Sequence, residues 1–233
     1  MASQLQQEEQ WMPKIREDQD RIGFIRKVYA ILCMQLSLTT LIAGLVVAIE
    51  ALQEWLFINW PFLLVCVLIN IIVLITLLCF KNTARKHPNN IILLGIFTIT
   101  ESLLVGNFAA FYDPMTVLIA AILTLGVTIG VTAYACLTKT DFTTFRGILF
   151  GLILGFLLYA IFLGVFFDTL LFQLGMCLIF IIIYTIFIVI DTKMIVGGNR
   201  WGLSYDDYII GSLCLYIDII GLFMYLLRFL GRK

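Results

Sequence analysis

The chain has 233 residues, of which 62% are apolar and only 13% charged, with a mean hydropathy of +1.05. A soluble domain of this size has no use for so much apolar side chain, whereas a polytopic membrane protein does. Fifteen basic residues balance fifteen acidic ones, which excludes the basic surface that nucleic-acid binding requires.

Residues 1–27 carry five basic and five acidic side chains and no apolar core. The first apolar run starts only near Val28, so this stretch is expected to be a polar cytosolic tail and not a cleavable leader. Apolar segments then follow near 28–49, 61–80, 91–112, 115–137, 147–167, 169–190 and 208–230. Each is long enough to cross a bilayer about 30 Å thick, which takes about 20 helical residues. Helix is the expected state, because lipid offers no partner to unpaired backbone groups and such unbroken runs are not barrel strands. Trp60-Pro61, His87-Pro88 and Asp113-Pro114 punctuate the breaks. The expected fold is an all-α membrane protein, a seven-transmembrane-helix bundle forming one domain over 28–233. The short connectors leave chemistry only the bundle interior or its rim.

Basic residues set the expected orientation. Lys81, Arg85 and Lys86, then Lys139 and Arg146, then Lys193 and Arg200 occupy every second connector, while the alternate ones hold Glu50, Glu54, Asp113 and Asp168. By the positive-inside rule the N-terminus is cytosolic. Seven full crossings would then place Arg228, Arg232 and Lys233 on the far side, against the same rule. The last segment therefore either crosses at some cost or turns back as a re-entrant segment, packed in protein or lining a wet cavity.

All six cysteines fall inside apolar runs and read as buried small hydrophobes, with no metal or disulfide pattern. Gly147, Gly151 and Gly155, and Gly126 and Gly130, recur at four-residue spacing. Such stripes let helix backbones approach closely, within the chain or across an oligomer.

The costliest residues are acids within the spans. The run IFIIIYTIFIVI stops at Asp191, and Asp218 sits near the middle of the last segment. A carboxylate at mid-membrane costs about 2.5–3.5 kcal/mol on insertion scales, so it is a functional candidate by default. The connector TKMIVGGNRWGLSYDD is short enough for adjacent helices to bring the two carboxylates together. Two such groups in contact titrate as a coupled unit sharing a proton, and when ionised they offer hard oxygen ligands to Ca²⁺. The bland alternative leaves Asp191 as a helix-end residue at the interface. Glu101, flanked by Thr98, Thr100 and Ser102, gives a third buried acid, with Asn70 and Asn107 as further polar interior. Lys81 and Arg85 are candidates to clamp an ionised Asp191. Asp206 and Asp207 read as the first turn of the last helix with Ser204 as its cap, and His87 reads as solvated. Phosphate loops, HExxH and nucleophile elbows are absent from the sequence.

RIGFIRKVYAILCMQLSLTT at 21–40, KTDFT at 139–143, IDTKMI at 190–195 and SYDDYIIGSLCLYIDIIGLF at 204–223 resemble the transmembrane Bax-inhibitor-motif family in its lifeguard branch. HPNNIILLGIFTITES is most like that branch's Golgi anti-apoptotic members. The resemblance implies a seven-helix bundle with the last helix at its centre. It further implies a calcium leak in Golgi or endoplasmic reticulum membranes that suppresses apoptosis. Asp191 and Asp218 would be the paired aspartates that sense pH and gate the leak. A basic residue near the end of the second helix, Lys81 or Arg85, would latch them. Where some relatives have an acid in the second helix, this chain has Asn70.

Several functions compete. The first is a pH-sensitive Ca²⁺ leak, with Ca²⁺ and protons as permeant ions, no resident cofactor, and calcium-release channels or apoptosis regulators as partners. An anti-apoptotic membrane adaptor without flux is the second. An intramembrane aspartyl protease would suit two membrane aspartates, but Asp218 follows Leu215-Tyr216-Ile217 and not Gly-x-Gly. A seven-helix receptor would need an acidic-Arg-Tyr triplet, and the third segment ends Phe111-Tyr112-Asp113.

Overall fold

A computed structural model of the chain describes residues 2–138, 170–197 and 203–231, with side chains from residue 19 onward except at 81, 170 and 171. The expected fifth segment at 147–167, its glycine stripe, and Lys139, Arg146, Asp168, Arg200, Arg232 and Lys233 lie outside the described residues. Eight helices are described: α1 Ala2–Ala48, α2 Glu50–Ile58, α3 Trp60–Cys79, α4 Lys81–Arg85, α5 Asn89–Ala109, α6 Pro114–Leu137, α7 Leu170–Val196 and α8 Tyr208–Leu230. Six stretches, Gln19–Ala48, Trp60–Cys79, Asn89–Ala109, Pro114–Leu137, Phe172–Val196 and Tyr208–Leu230, are long and apolar enough to cross a membrane.

Two boundaries differ from expectation. The helix that holds the first span is longer than its apolar run, because α1 extends from Ala2 to Ala48. The first connector is not plain loop either. Ile49 takes an extended conformation (φ −111°, ψ 102°) that breaks α1, and the short helix α2 follows, anchored by the buried Leu56. The proline signals hold, since Pro61 and Pro114 both sit in first turns, where the missing N–H costs nothing. Asp113 caps α6 by accepting from the Met115 and Thr116 amides at 3.0 and 3.4 Å.

α1 turns one face inward through Phe24, Val28, Leu32, Gln35 and Thr39, all buried and three or four residues apart. It packs on α5 and α8, α3 packs on α5, and α6, α7 and α8 pack on one another. The outward faces of α3 and α6 expose Leu68, Ile72, Ile122, Leu125 and Ile129, a surface that lipid accepts and water does not. α8 is the most buried described span, with 56% of its apolar window buried against 11–39% for the others. It is one unbroken 23-residue helix that continues through Asp218, about 34 Å long at 1.5 Å per residue. Arg228 lies in its last turn, where a cation complements the helix dipole.

The cysteine reading needs correcting, and among the described residues the close glycine approaches lie away from the stripes. No described atom lies within 4 Å of where a Cβ would sit on Gly126 or Gly130, so neither marks a close helix approach among the described residues. The tight approaches are elsewhere. A Cβ on Gly106 would meet the Ala43 Cα at 3.0 Å, and one on Gly221 would meet the Tyr184 ring at 2.3 Å. Of the cysteines, Cys66 and Cys177 are buried, but Cys33, Cys79 and Cys136 are exposed on the apolar surface.

Candidate functional site: two membrane carboxylates beneath a basic collar

Asp191 does not end its helix. α7 continues to Val196 because Thr192, Met194 and Ile195 are all buried against neighbouring helices. Asp191 is therefore not a helix-end residue, and only 7% of it is exposed, as for Asp218.

Three contacts fix how α7 lies on α8. A Cβ on Gly211 would come 3.5 Å from Ile195, and Gly221 abuts Tyr184. Phe180 stacks on Tyr225 with ring centroids 4.5 Å apart. The helices run antiparallel, and this register sets Asp191 level with about Cys214. Asp218 lies one turn further along, an axial offset of about 6 Å at 1.5 Å per residue. Both acids thus occupy one zone of the α7–α8 seam. Tyr184, on the same seam, is within electrostatic reach of Asp218 and of Glu101.

Glu101 belongs to a separate polar layer made by α1, α3, α5 and α8. Asn70, buried on α3, donates to the Phe97 carbonyl at 3.3 Å and to Thr100 Oγ1 at 3.2 Å, and its amide lies beside the Glu101 carboxyl. On the α1 side, Gln35 donates to Thr98 Oγ1 at 3.1 Å, Ser102 donates to Thr39 Oγ1 at 2.9 Å, and Thr39 meets the Tyr216 hydroxyl at 2.7 Å. Gln35, Thr39 and Tyr216 were not singled out in the sequence. The available signal was the α1 face, on which Gln35 and Thr39 continue the spacing of Phe24, Val28 and Leu32.

Above the acids, basic side chains gather where α7 ends and α8 begins. Arg85 meets Asp207 with both carboxylate oxygens, Nε to Oδ1 at 2.7 Å and a terminal nitrogen to Oδ2 at 2.9 Å. This is the planar two-point geometry that guanidinium suits and ammonium does not. These hydrogen bonds, and then the carboxylate's charge, push the Arg85 guanidinium above its ordinary value. Arg85 had been expected to clamp Asp191, yet the carboxylate it grips is Asp207. Lys81 opens α4, and its side chain lies outside the described residues. The cap of α8 is Asp207 and not Ser204, and its carboxylate serves Arg85 instead of the helix amides.

Arg21, on α1, donates to the carbonyls of Leu203 at 3.1 Å, Met194 at 2.9 Å and Gly197. It so satisfies carbonyls that the end of α7 leaves open. Its guanidinium also lies over the rings of Phe24 and Tyr205. Lys193 donates to the Thr138 carbonyl, tying α7 to the end of α6. Asn90, fully buried, donates to the Ala84 carbonyl and the Tyr208 hydroxyl at 3.2 and 3.3 Å. Arg21 and Asn90 lie in the blocks that carry the resemblance but were not singled out, because their partners include backbone and hydroxyl groups far away in sequence.

The family model described as "Inhibitor of apoptosis-promoting Bax1" matches residues 21–233. The chain belongs to the Bax-inhibitor family. Protein lifeguard 4 of Mus musculus is 37% identical over 210 residues, covering 90% of this chain and 85% of that protein. Protein lifeguard 3 of Homo sapiens is 32% identical over 223 residues, covering 91% and 70% respectively. The Bax-inhibitor match takes in α1 from Arg21 onward together with the collar and both seam acids, and it leaves out only the first twenty residues.

Proposed function

We propose that this Bax-inhibitor protein is a pH-sensitive calcium leak of Golgi or endoplasmic reticulum membranes that lowers luminal calcium and so inhibits apoptosis. The observation that carries the reading is the α7–α8 register, with Asp191 and Asp218 buried on one seam about a turn apart. Carboxylates so placed share protons, and the state of that shared proton gates the passage of Ca²⁺. Ca²⁺ is cargo here, held transiently by the same oxygens. In this reading α8 is the central helix of seven, the N-terminus is cytosolic, and the Arg21–Arg85 collar faces the cytosol. Reconstitution tests it: purified protein in liposomes passes Ca²⁺, and Asp218→Asn abolishes the flux. Flux unchanged in that variant would remove the acids from the mechanism.

The family description names an apoptosis-promoting protein and no ion, which favours a second reading as an adaptor. A variant without flux that still protects cells from apoptotic stimuli would decide for the adaptor.

A further inference from the structure

Beside Asp191 lies a group of hydroxyls that the leak reading has not used. Thr192 is fully buried, and its hydroxyl has no hydrogen-bond partner among the described residues; the buried hydroxyls of Tyr29 and Thr128 share that state. The Tyr29 oxygen faces both Thr192 and Thr132 without closing a hydrogen bond of good geometry to either. Thr128 and Thr132 are four residues apart, one above the other on α6, and α6 packs against α7. Three helices therefore bring the Tyr29, Thr132 and Thr192 hydroxyls to one spot, with the Cys136 thiol also in reach of Tyr29 and Thr128 one turn along α6.

These threonines break a habit of this chain. Thr39, Thr40, Thr76, Thr98, Thr124 and Thr185 each donate to the carbonyl four residues back, which satisfies a hydroxyl within its own helix. Thr128 and Thr192 make no such bond. Buried polar groups are paired as a rule, and where protein supplies no partner an ordered water does. Facing buried hydroxyls that leave one another without a well-formed direct bond are the groups a bridging water satisfies.

We propose that the hydroxyls of Tyr29, Thr128, Thr132 and Thr192 line a buried hydration site adjoining Asp191, and that it forms the collar-side stretch of the ion pathway. The ligand is water and, during conduction, a partly hydrated divalent cation, for which neutral hydroxyl oxygens are suitable partners. The pathway half of this inference rests on the leak reading above; the hydration half does not.

Two measurements on the full chain in liposomes separate the halves. Radiolytic footprinting oxidises side chains next to bound water, so Tyr29 is expected to be labelled, and less so once Thr128→Val and Thr192→Val are combined. A Tyr29 that stays unlabelled overturns the hydration site whatever the flux. In the second measurement Thr192→Val lowers Ca²⁺ flux by about threefold or more, the scale of one interhelical hydrogen bond. Thr192→Ser, which keeps the hydroxyl, restores flux, and Thr40→Val, at an exposed threonine, leaves it unchanged. Full flux in Thr192→Val with Tyr29 labelled would put the water off the pathway and overturn that half. If wild-type protein passes no Ca²⁺ while Tyr29 is labelled, the leak reading fails and the hydration site stands.

Discussion

Arg85 holds Asp207 by two parallel hydrogen bonds of 2.7 and 2.9 Å, joining the short helix α4 to the first residue before α8. The pair fixes the entry of the helix that carries Asp218, not Asp218 itself. Arg85→Ala and Asp207→Asn are each expected to speed amide hydrogen exchange over residues 203–210 several-fold. The double variant should exchange no faster than either single one, because both remove the same contact. Arg85→Lys should recover only part of the protection, since an ammonium cannot make the two-point contact.

The second clamp acts on α7. Removing the Arg21 guanidinium takes a donor from the Gly197 and Leu203 carbonyls and leaves the Met194 carbonyl only the Leu203 amide at 3.3 Å, so Arg21→Ala should fray the last turn of the helix that carries Asp191. Exchange of the amides from Thr192 to Gly197 is the measurement, with several-fold acceleration expected. The α6 amides should not change.

Tyr216 separates packing from hydrogen bonding. It is fully buried, meets Thr39 at 2.7 Å and stands edge-on to Phe97 with centroids 6.1 Å apart. Tyr216→Phe keeps the ring and removes one interhelical hydrogen bond, at a cost of about 1 kcal/mol. Tyr216→Ala empties the site and should cost about 3–5 kcal/mol. Thermal unfolding of the detergent-solubilised protein should show a small shift for the first and a large one for the second.

The seam depends on Gly221. A Cβ there would lie 2.3 Å from the Tyr184 ring, and that ring is itself packed against Tyr225. Gly221→Ala should therefore lower the melting temperature and the Ca²⁺ flux together. Adding Tyr184→Ala removes the colliding ring and should recover part of the melting temperature.

Much of the architecture was legible because lipid imposes a simple rule. Uninterrupted apolar length marked α3, α5, α6 and α8 to within a few residues and α7 at its start, and Pro61 and Pro114 marked two helix starts. The misses have a common cause. α1 continues into a charged stretch that apolar length cannot register, and α7 continues past Asp191 because of packing and Arg21, which lies far away in sequence. Charge and side of the membrane pointed Arg85 toward the nearest interesting acid. Geometry gave it Asp207, since the start of α8 lies beside α4. Asp191 and Asp218 stood out on cost alone, but their level on the seam follows only from Gly211, Gly221 and the Phe180–Tyr225 stack.

The most direct test of the central claim is Ca²⁺ flux through the purified protein in liposomes across pH, for wild type, Asp191→Asn and Asp218→Asn. The account expects flux in wild type that changes with pH, and a loss of both flux and pH response in Asp218→Asn. Asp191→Asn should lose the pH response as well, because the proton is shared. Wild-type flux with an unaltered pH profile in both variants would contradict it.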